Sequence, residues 1–334
     1  MERFSDLGKI EAIRRLFENT GFQNSVFFEC GRGSSLTTAS RLFIEGTDFN
    51  LVYFPLRHLG YKCALSTTGP LMARMAKPKG MDVVIGVSSK LDFREVSELW
   101  GGIVAAAKEF GYKNLSLDLT PSQNGLTISI SASGERSALT SGRLPKPKTK
   151  DLLCVSGRLG AAYMGLRILE RGLEKFNSGQ TPELEKHKML VGAYLKPELD
   201  AGIIDHLEDA ELYPSSAYFL QSGLGDALKR IVRDTGLGVK VYADHIPFEG
   251  NTFALGKELD IDPVSAAMNG GDDSVLLLVI PILQAEKFRR EMPGFTVIGH
   301  LAQSDAGAVL VTPDGLEHPV SAPGWGYPSG SSPD

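Results

Sequence analysis

Residues 150–172 read KDLLCVSGRLGAAYMGLRILERG and carry a clear succession of local structural signals. The stretch begins with a short apolar run typical of a strand, continues with closely spaced glycines, and ends with apolar residues at helical spacing from Ala161 onward. A strand, a glycine turn and a helix in this order place backbone N–H groups at a helix N-terminus, where an anion is stabilised. The pattern predicts a phosphate-binding turn at Gly157 and Gly160. A purely structural connection between strand and helix satisfies the same pattern.

Strand and helix signals alternate on both sides of this stretch, which predicts an α/β protein. The segment RLPKPKTK at 143–150 is rich in proline and lysine and is the best linker candidate. A chain of 334 residues can bury two cores. We therefore predict an N-terminal domain at 1–142, a linker at 143–150 and a C-terminal α/β domain at 151–327. Residues 328–334 lose all periodicity and are predicted to form a flexible tail.

Three local predictions concern the N-terminal domain. Residues 24–30 have the composition of a strand. The helical segment between 53 and 77 contains Gly69-Pro70, and an interior proline costs roughly 3 kcal/mol, so we expect an interruption there. Asp92 is expected to cap a long helix that reaches Phe110.

Composition excludes several classes of protein. The net charge of −5, the pI near 5.8 and the lack of a basic run argue against a nucleic-acid binder. No apolar run is long enough for a membrane span, and the charged N-terminus does not resemble a signal peptide. The 3 cysteines are widely spaced and the 6 histidines form no HExxH motif, which predicts buried thiols in a reducing compartment and no zinc site. We predict a cytoplasmic protein.

Six motifs, spread over nearly the whole chain, resemble thiamine-monophosphate kinase, in the superfamily of aminoimidazole ribonucleotide synthetase. They are EGxxF at 45–49, PLRHLGYK at 55–62, GLTISI at 125–130, the glycine stretch from Asp151, NGGxD at 269–273 and GW at 324–325. The resemblance implies a two-domain synthetase-like fold. It also implies a homodimer in which the N-terminal sheet pairs with that of a second subunit. The ligands it implies are ATP, Mg²⁺ and thiamine monophosphate, and the reaction is ATP-dependent phosphorylation to thiamine diphosphate.

The chain departs from the family where carboxylates should hold the metal. The implied acidic positions fall on Gly31-Arg32-Gly33, Ser40-Arg41, Pro70 and the segment 219–223, FLQSG. Only Asp118 keeps its carboxylate, with Thr120 close by, and magnesium sites use one or two carboxylates plus substrate phosphates. The resemblance therefore implies Asp118 as the one remaining metal and nucleotide contact, supported by Thr120.

Other changes in the family pattern concern the nucleotide and the substrate. Leu117 replaces a glycine and is expected to obstruct the nucleotide, and Phe219 and Leu220 are expected to add apolar bulk. For the substrate, the resemblance implies contacts from Asp48, which replaces a histidine, Asp272 and Trp325. A tryptophan can stack on the cationic thiazolium or simply cap the core.

Three hypotheses follow. The first is a divergent family member with impaired or lost catalysis, a pseudoenzyme that acts through binding. The second is an active kinase whose metal site is rebuilt from Asp48, Asp118 and Asp273. The third is a superfamily enzyme that acts on another phosphorylated small molecule. Arg32 or Arg41 offer fixed cations in place of the metal, because guanidinium pairs with phosphate in bidentate fashion.

Overall fold

The computed structural model describes residues 7–250 and 252–322. The helices are α1 Lys9–Phe17, α2 Leu56–Ala73, α3 Phe93–Glu109, α4 Ala138–Arg143, α5 Ala161–Asn177, α6 Lys188–Leu195, α7 Ile203–Asp209, α8 Leu224–Thr235, α9 Thr252–Leu259, α10 Pro263–Asn269 and α11 Ala285–Glu291. The strands are β1 Ser35–Ile44, β2 Lys77–Ser88, β3 Asn114–Ser122, β4 Thr127–Arg136, β5 Leu152–Val155, β6 Ser216–Leu220, β7 Gly238–Tyr242, β8 Val275–Ile280, β9 Thr296–Ala302, β10 Ala308–Val311 and β11 Glu317–Pro319. The predicted α/β class is confirmed.

The chain divides into two compact units. Unit 1 comprises Met1–Leu144, Gly172–Pro182 and Leu195–Tyr213, and unit 2 comprises Pro145–Arg171, Glu183–Tyr194 and Pro214–Asp334. Each unit has its own sheet. The boundaries drawn from the sequence, with a linker at 143–150, remain a prediction. The predicted tail at 328–334 and Trp325 lie outside the described residues.

The sheet of unit 1 has the strand order β1-β4-β2-β3, in which β2 and β3 are parallel and the other pairs antiparallel. Side chains alternate between its two faces. One face, which includes Leu115, Leu117 and Leu119, is buried in the core together with most of helix α2. The opposite face is open and carries exposed apolar side chains from the outermost strand β1, including Leu42.

Two local predictions for unit 1 are wrong and one is confirmed. Helix α2 continues through Pro70, because most of its residues are buried and their packing outweighs the local cost of the proline. Residues 24–30 form only isolated bridges from Asn24 and Ser25 to Leu115, not a strand. Asp92 caps α3 in a reciprocal capping box with Glu95.

The sheet of unit 2 has the order β11-β10-β7-β9-β5-β8-β6, with only β10 and β7 running parallel. Its main hydrophobic cluster joins one sheet face to helix α8 and includes Val155, Leu220, Leu228 and Val241. Strand β8 is buried along its full length, which explains its uninterrupted apolar sequence. Within the described residues, no helix is long and apolar enough to span a bilayer.

Candidate functional site

Asp118 lies on the open face of β3 and forms an ion pair with Lys9 of α1. Both side chains are about half exposed. Hydrogen bonding by the Lys9 ammonium lowers the pKa of Asp118 below its ordinary value. The predicted metal ligand is therefore ionised, and its charge is balanced by a lysine of the same unit.

Leu117 does not obstruct the face that carries Asp118, contrary to the sequence prediction. Strand geometry sends neighbouring side chains to opposite faces, and Leu117 is buried in the core while Asp118 and Thr120 are exposed. Asn24 brackets the backbone of Leu117, accepting from its N–H at 2.8 Å and donating to its carbonyl at 3.3 Å. Leu117, which stands where the family pattern has a glycine, therefore packs in the core and does not close a site.

The loop at 31–34, where the family pattern requires acids, is held by a carboxylate from elsewhere. Glu135 of β4 accepts from the Gly31 N–H at 2.6 Å and pairs with Lys79 at 2.8 Å. Lys79, the Ser34 hydroxyl and the Gly31 amide lower the pKa of Glu135 to about 2. Arg32 is exposed and makes no hydrogen bond or ion pair with any residue that the structure describes. The permanent positive charge of Arg32 is thus available in this loop.

A cavity of about 390 Å³ lies beside this cluster in unit 1. Its charged lining consists of Lys77, Lys79, Arg143, Glu135, Glu208 and Asp209. Positive and negative groups are equal in number, and Lys77 pairs with Glu208 at 2.8 Å. The size suits a small molecule, but the balanced charge provides no excess of cations for a polyphosphate.

Asp48, predicted as a substrate contact, stabilises the turn that follows β1. It accepts a hydrogen bond from the Ile44 N–H at 2.9 Å and lies 3.7 Å from Arg41. The Arg41 guanidinium also lies over the ring of Phe43, 5.0 Å from its centroid. Asp48, the predicted substrate contact, and Arg41, the proposed substitute for the metal charge, therefore both contact neighbouring residues of the same turn and strand.

The glycine turn before α5 has the predicted geometry, and its anion position is filled by Asp273. The Asp273 carboxylate accepts from the Gly160 N–H at 2.9 Å and the Ala162 N–H at 3.3 Å, at the N-terminus of the helix. A phosphate at these amides must displace this carboxylate, because both anions use the same donors. Gly160 has a φ of +75°, and a Cβ there would lie 3.0 Å from the Ala267 nitrogen, so the glycine also has a packing role.

Gln221, which the family pattern aligns with a serine, holds the backbone and side chain of Asp272. Its side-chain amide donates to the Asp272 carboxylate at 2.9 Å, and its backbone carbonyl accepts from the Asp272 N–H at 2.8 Å. Asp272 has a φ of +61°, in the left-handed region that aspartate tolerates better than most residues. The predicted substrate contact therefore belongs to a well-fixed turn.

Two more replaced positions lie at the end of β6. Leu220 is buried in the main cluster of unit 2, and Phe219 is half-buried. In the described part of the chain, no group of three or more His, Cys, Asp or Glu side chains is arranged to hold a metal ion. Trp325 lies outside that part.

Sequence reasoning missed Lys9, Glu135 and Lys79. Lys9 has an ordinary helical context, and nothing local distinguishes it from other surface lysines. Glu135 and Lys79 lie on different strands that pair only in the sheet, so neighbouring sequence gives no signal.

Comparison with known proteins finds similarity to thiamine-monophosphate kinases over nearly the whole chain. No family model matches the chain. A thiamine-monophosphate kinase of Pyrococcus horikoshii is 24% identical over 321 residues, covering 94% of this chain and 93% of the relative. That of Aquifex aeolicus is 20% identical over 324 residues, covering 95% and 99%. The chain is a divergent relative of the thiamine-monophosphate kinases.

The fold agrees with this relationship. A structure of AaThiL complexed with AMPPCP and TMP superposes with a TM-score of 0.71 at 19% identity, covering 95% of this chain and 97% of that one. The thiamine-monophosphate kinase fold, with its N-terminal sheet domain and C-terminal α/β domain, is thus confirmed for this chain.

Proposed function

We propose that this chain is a thiamine-monophosphate-kinase-like protein that binds a phosphorylated small molecule and has impaired or lost phosphoryl transfer. The observation that carries the proposal is the pairing of Asp118 with Lys9. Asp118 is the only carboxylate retained at the aligned family positions, and an ammonium group takes the place beside it that a dication needs. Phosphoryl transfer in this family relies on positive charge from magnesium, which several carboxylates must hold.

The residues at the other aligned positions support the same proposal. Glycine, arginine, proline and phenylalanine stand at aligned positions where acids are expected, and none of them can supply a carboxylate. Asp273 is committed to the helix amides of Gly160 and Ala162. These residues do not fit a cage for several magnesium ions.

The open sheet face of unit 1 supports a homodimer. Strand β1 is the outermost strand of its sheet, and Leu36, Leu42 and Ile44 on it are 56%, 51% and 37% exposed. Burying such a face against a second copy would remove this apolar area from water. A cytoplasmic location is part of the same proposal.

An active kinase with a rebuilt metal site is the second candidate. The whole-length similarity to curated kinases and to a structure holding AMPPCP and TMP favours it. It requires Asp118, with Asp48 or Asp273, to leave its present partners when nucleotide binds. A superfamily enzyme acting on another phosphorylated small molecule is the third candidate.

Calorimetric titration with Mg-ATP and with thiamine monophosphate, each alone, tests the proposal. The expected result is no heat with Mg-ATP and no thiamine diphosphate by chromatography after prolonged incubation with both. Asp118→Asn should then change nothing. Turnover that disappears in Asp118→Asn would establish the second candidate instead. Binding of another phosphorylated compound, with turnover, would favour the third.

A further inference from the structure

Unit 2 contains a second cavity, of about 280 Å³, on the sheet face opposite its main hydrophobic cluster. Leu152 and His300 are cross-strand neighbours on β5 and β9, and both line it. Their chain neighbours Leu153 and Leu301 belong to the cluster on the other face, as strand alternation requires. Val297 and Ile282 add further apolar surface to the lining. The cavity is thus an open, apolar slot on an otherwise well-packed sheet.

Three aromatic rings line this slot and contact one another. The Tyr242 ring stacks on His300 with centroids 5.9 Å apart and an interplanar angle of 28°. It also contacts His245, at 5.2 Å and 49°. Burial, and secondarily the charge of Lys240, lower the pKa of His300, so its imidazole is neutral at pH 7. A neutral ring stack of this kind favours a planar aromatic guest, which gains offset or edge contacts.

One cation lines the slot, and its charge is not balanced within the described part of the chain. Lys150 is exposed, and its ammonium has no hydrogen bond or ion pair with any described residue. Its backbone is fixed, with a φ of +74° and an N–H donated to the Leu301 carbonyl at 2.7 Å. Lys240, on the same sheet face, is already paired with Glu317.

A buried carboxylate fixes the two sides of the slot relative to each other. Asp151 is only 2% exposed and accepts from the N–H groups of Lys148 at 2.9 Å and Ile282 at 3.2 Å. It also accepts from the Ser215 hydroxyl at 3.1 Å. Since Asp151 adjoins Lys150, the backbone of Lys150 and the apolar wall at Ile282 are held by the same anchor. The slot is therefore preorganised for a ligand with a flat apolar body and one negative group.

We propose that this slot binds a small planar aromatic anion, whose ring packs on Tyr242 and His300 and whose carboxylate, sulfonate or phosphate pairs with Lys150. Among its lining residues only Leu152 belongs to a motif that aligns with the kinase family, and the side chains that contact the ring and the anion lie outside those motifs. Tyr242 and His300 provide the ring contacts, and Lys150 selects the charge.

Calorimetry with three probes of matched shape tests this assignment: 2-naphthoate, neutral 2-naphthamide and cationic 2-naphthylmethylammonium. The full chain is expected to bind 2-naphthoate about tenfold more tightly than 2-naphthamide, because a charge-assisted contact adds to ring packing, and the cation is expected to bind most weakly. Lys150→Met should abolish the preference for the anion, whereas Lys148→Met, in the same segment but outside the slot, should keep it. Tyr242→Leu should weaken both 2-naphthoate and 2-naphthamide.

A measurement on the unmodified protein keeps the proposal falsifiable if Tyr242→Leu fails to fold. In ¹H–¹³C spectra of the imidazoles, 2-naphthoate should shift the signals of His300 and His245 and leave His187 unchanged. Equal affinity for the three probes, unchanged binding in Lys150→Met, or shifts confined to other histidines would each overturn the assignment.

Discussion

The ammonium of Lys9 forms an ion pair with the carboxylate of Asp118, the one acid retained at the positions where thiamine-monophosphate kinases are expected to carry several. Helix α1 brings a cation to the carboxylate that the resemblance implies as a metal ligand. The pair is exposed, so its effect on folding is small, and its importance lies in neutralising the carboxylate at the candidate site.

Replacing Lys9 with methionine should raise the pKa of Asp118 toward its ordinary value, and Lys9→Arg should leave it low. Because the pKa of Asp118 is lowered in the folded protein, the pair stabilises above the unfolded pKa. That contribution is lost as pH falls through the folded value. NMR titration of the Asp118 carboxyl carbon measures the pKa of Asp118 in both variants. Identical titration in Lys9→Met and the unmodified protein would contradict the pairing.

Asp273→Asn should lower the free energy of unfolding by about 1 kcal/mol, because a charge at a helix N-terminus is lost while one amide oxygen remains to accept. The variant should also bind inorganic phosphate more tightly, since the negative charge that competes for the amides of Gly160 and Ala162 is removed and a neutral amide is displaced more easily. The amide chemical shifts of these two residues during a phosphate titration report whether residue 273 or phosphate occupies the amides. Asp272→Asn is the matched control, and equal phosphate binding in all three proteins would count against this account of the turn.

Glu135→Gln should destabilise the chain by about 1 kcal/mol near neutral pH, because the pairing with Lys79 is lost and the hydrogen bond from Gly31 to a charged group becomes a weaker one to a neutral amide. The Glu135 side chain is 12% exposed, and its pKa falls from 4.5 to about 2 on folding. Its contribution is thus present above pH 4.5 and disappears as pH falls toward 2. Urea unfolding across this range should show the difference between the variant and the unmodified protein shrinking with acidification. The exposed acid Glu29, changed to glutamine, serves as control and should show no such dependence.

Leu42→Lys should weaken the proposed homodimer by about tenfold or more, because it places a charge on the apolar face of β1. Leu139→Lys alters an equally exposed leucine of α4 and should leave association intact. Light scattering with size-exclusion chromatography measures both. A protein that is monomeric before any substitution would remove the basis for this prediction.

The local signals in the sequence were sufficient where a short segment decides its own conformation. The capping box of Asp92 and the glycine turn before α5 were both readable, because the residues that satisfy the backbone lie within a few positions of one another. Helix α2 contradicted its local signal, since burial along most of its length outweighs the cost of Pro70. The strand predicted at 24–30 failed because only its first residues find a partner, at Leu115.

Residue type and order alone were sufficient for the α/β class and the relationship to the kinases, because neither depends on which distant residues meet. Only the tertiary structure decided which groups meet: Lys9 with Asp118, Glu135 with Lys79 and Gly31, and Asp273 with the amides of α5. These contacts join residues that are distant in the chain, and their chemistry depends on distances and burial that no local pattern encodes.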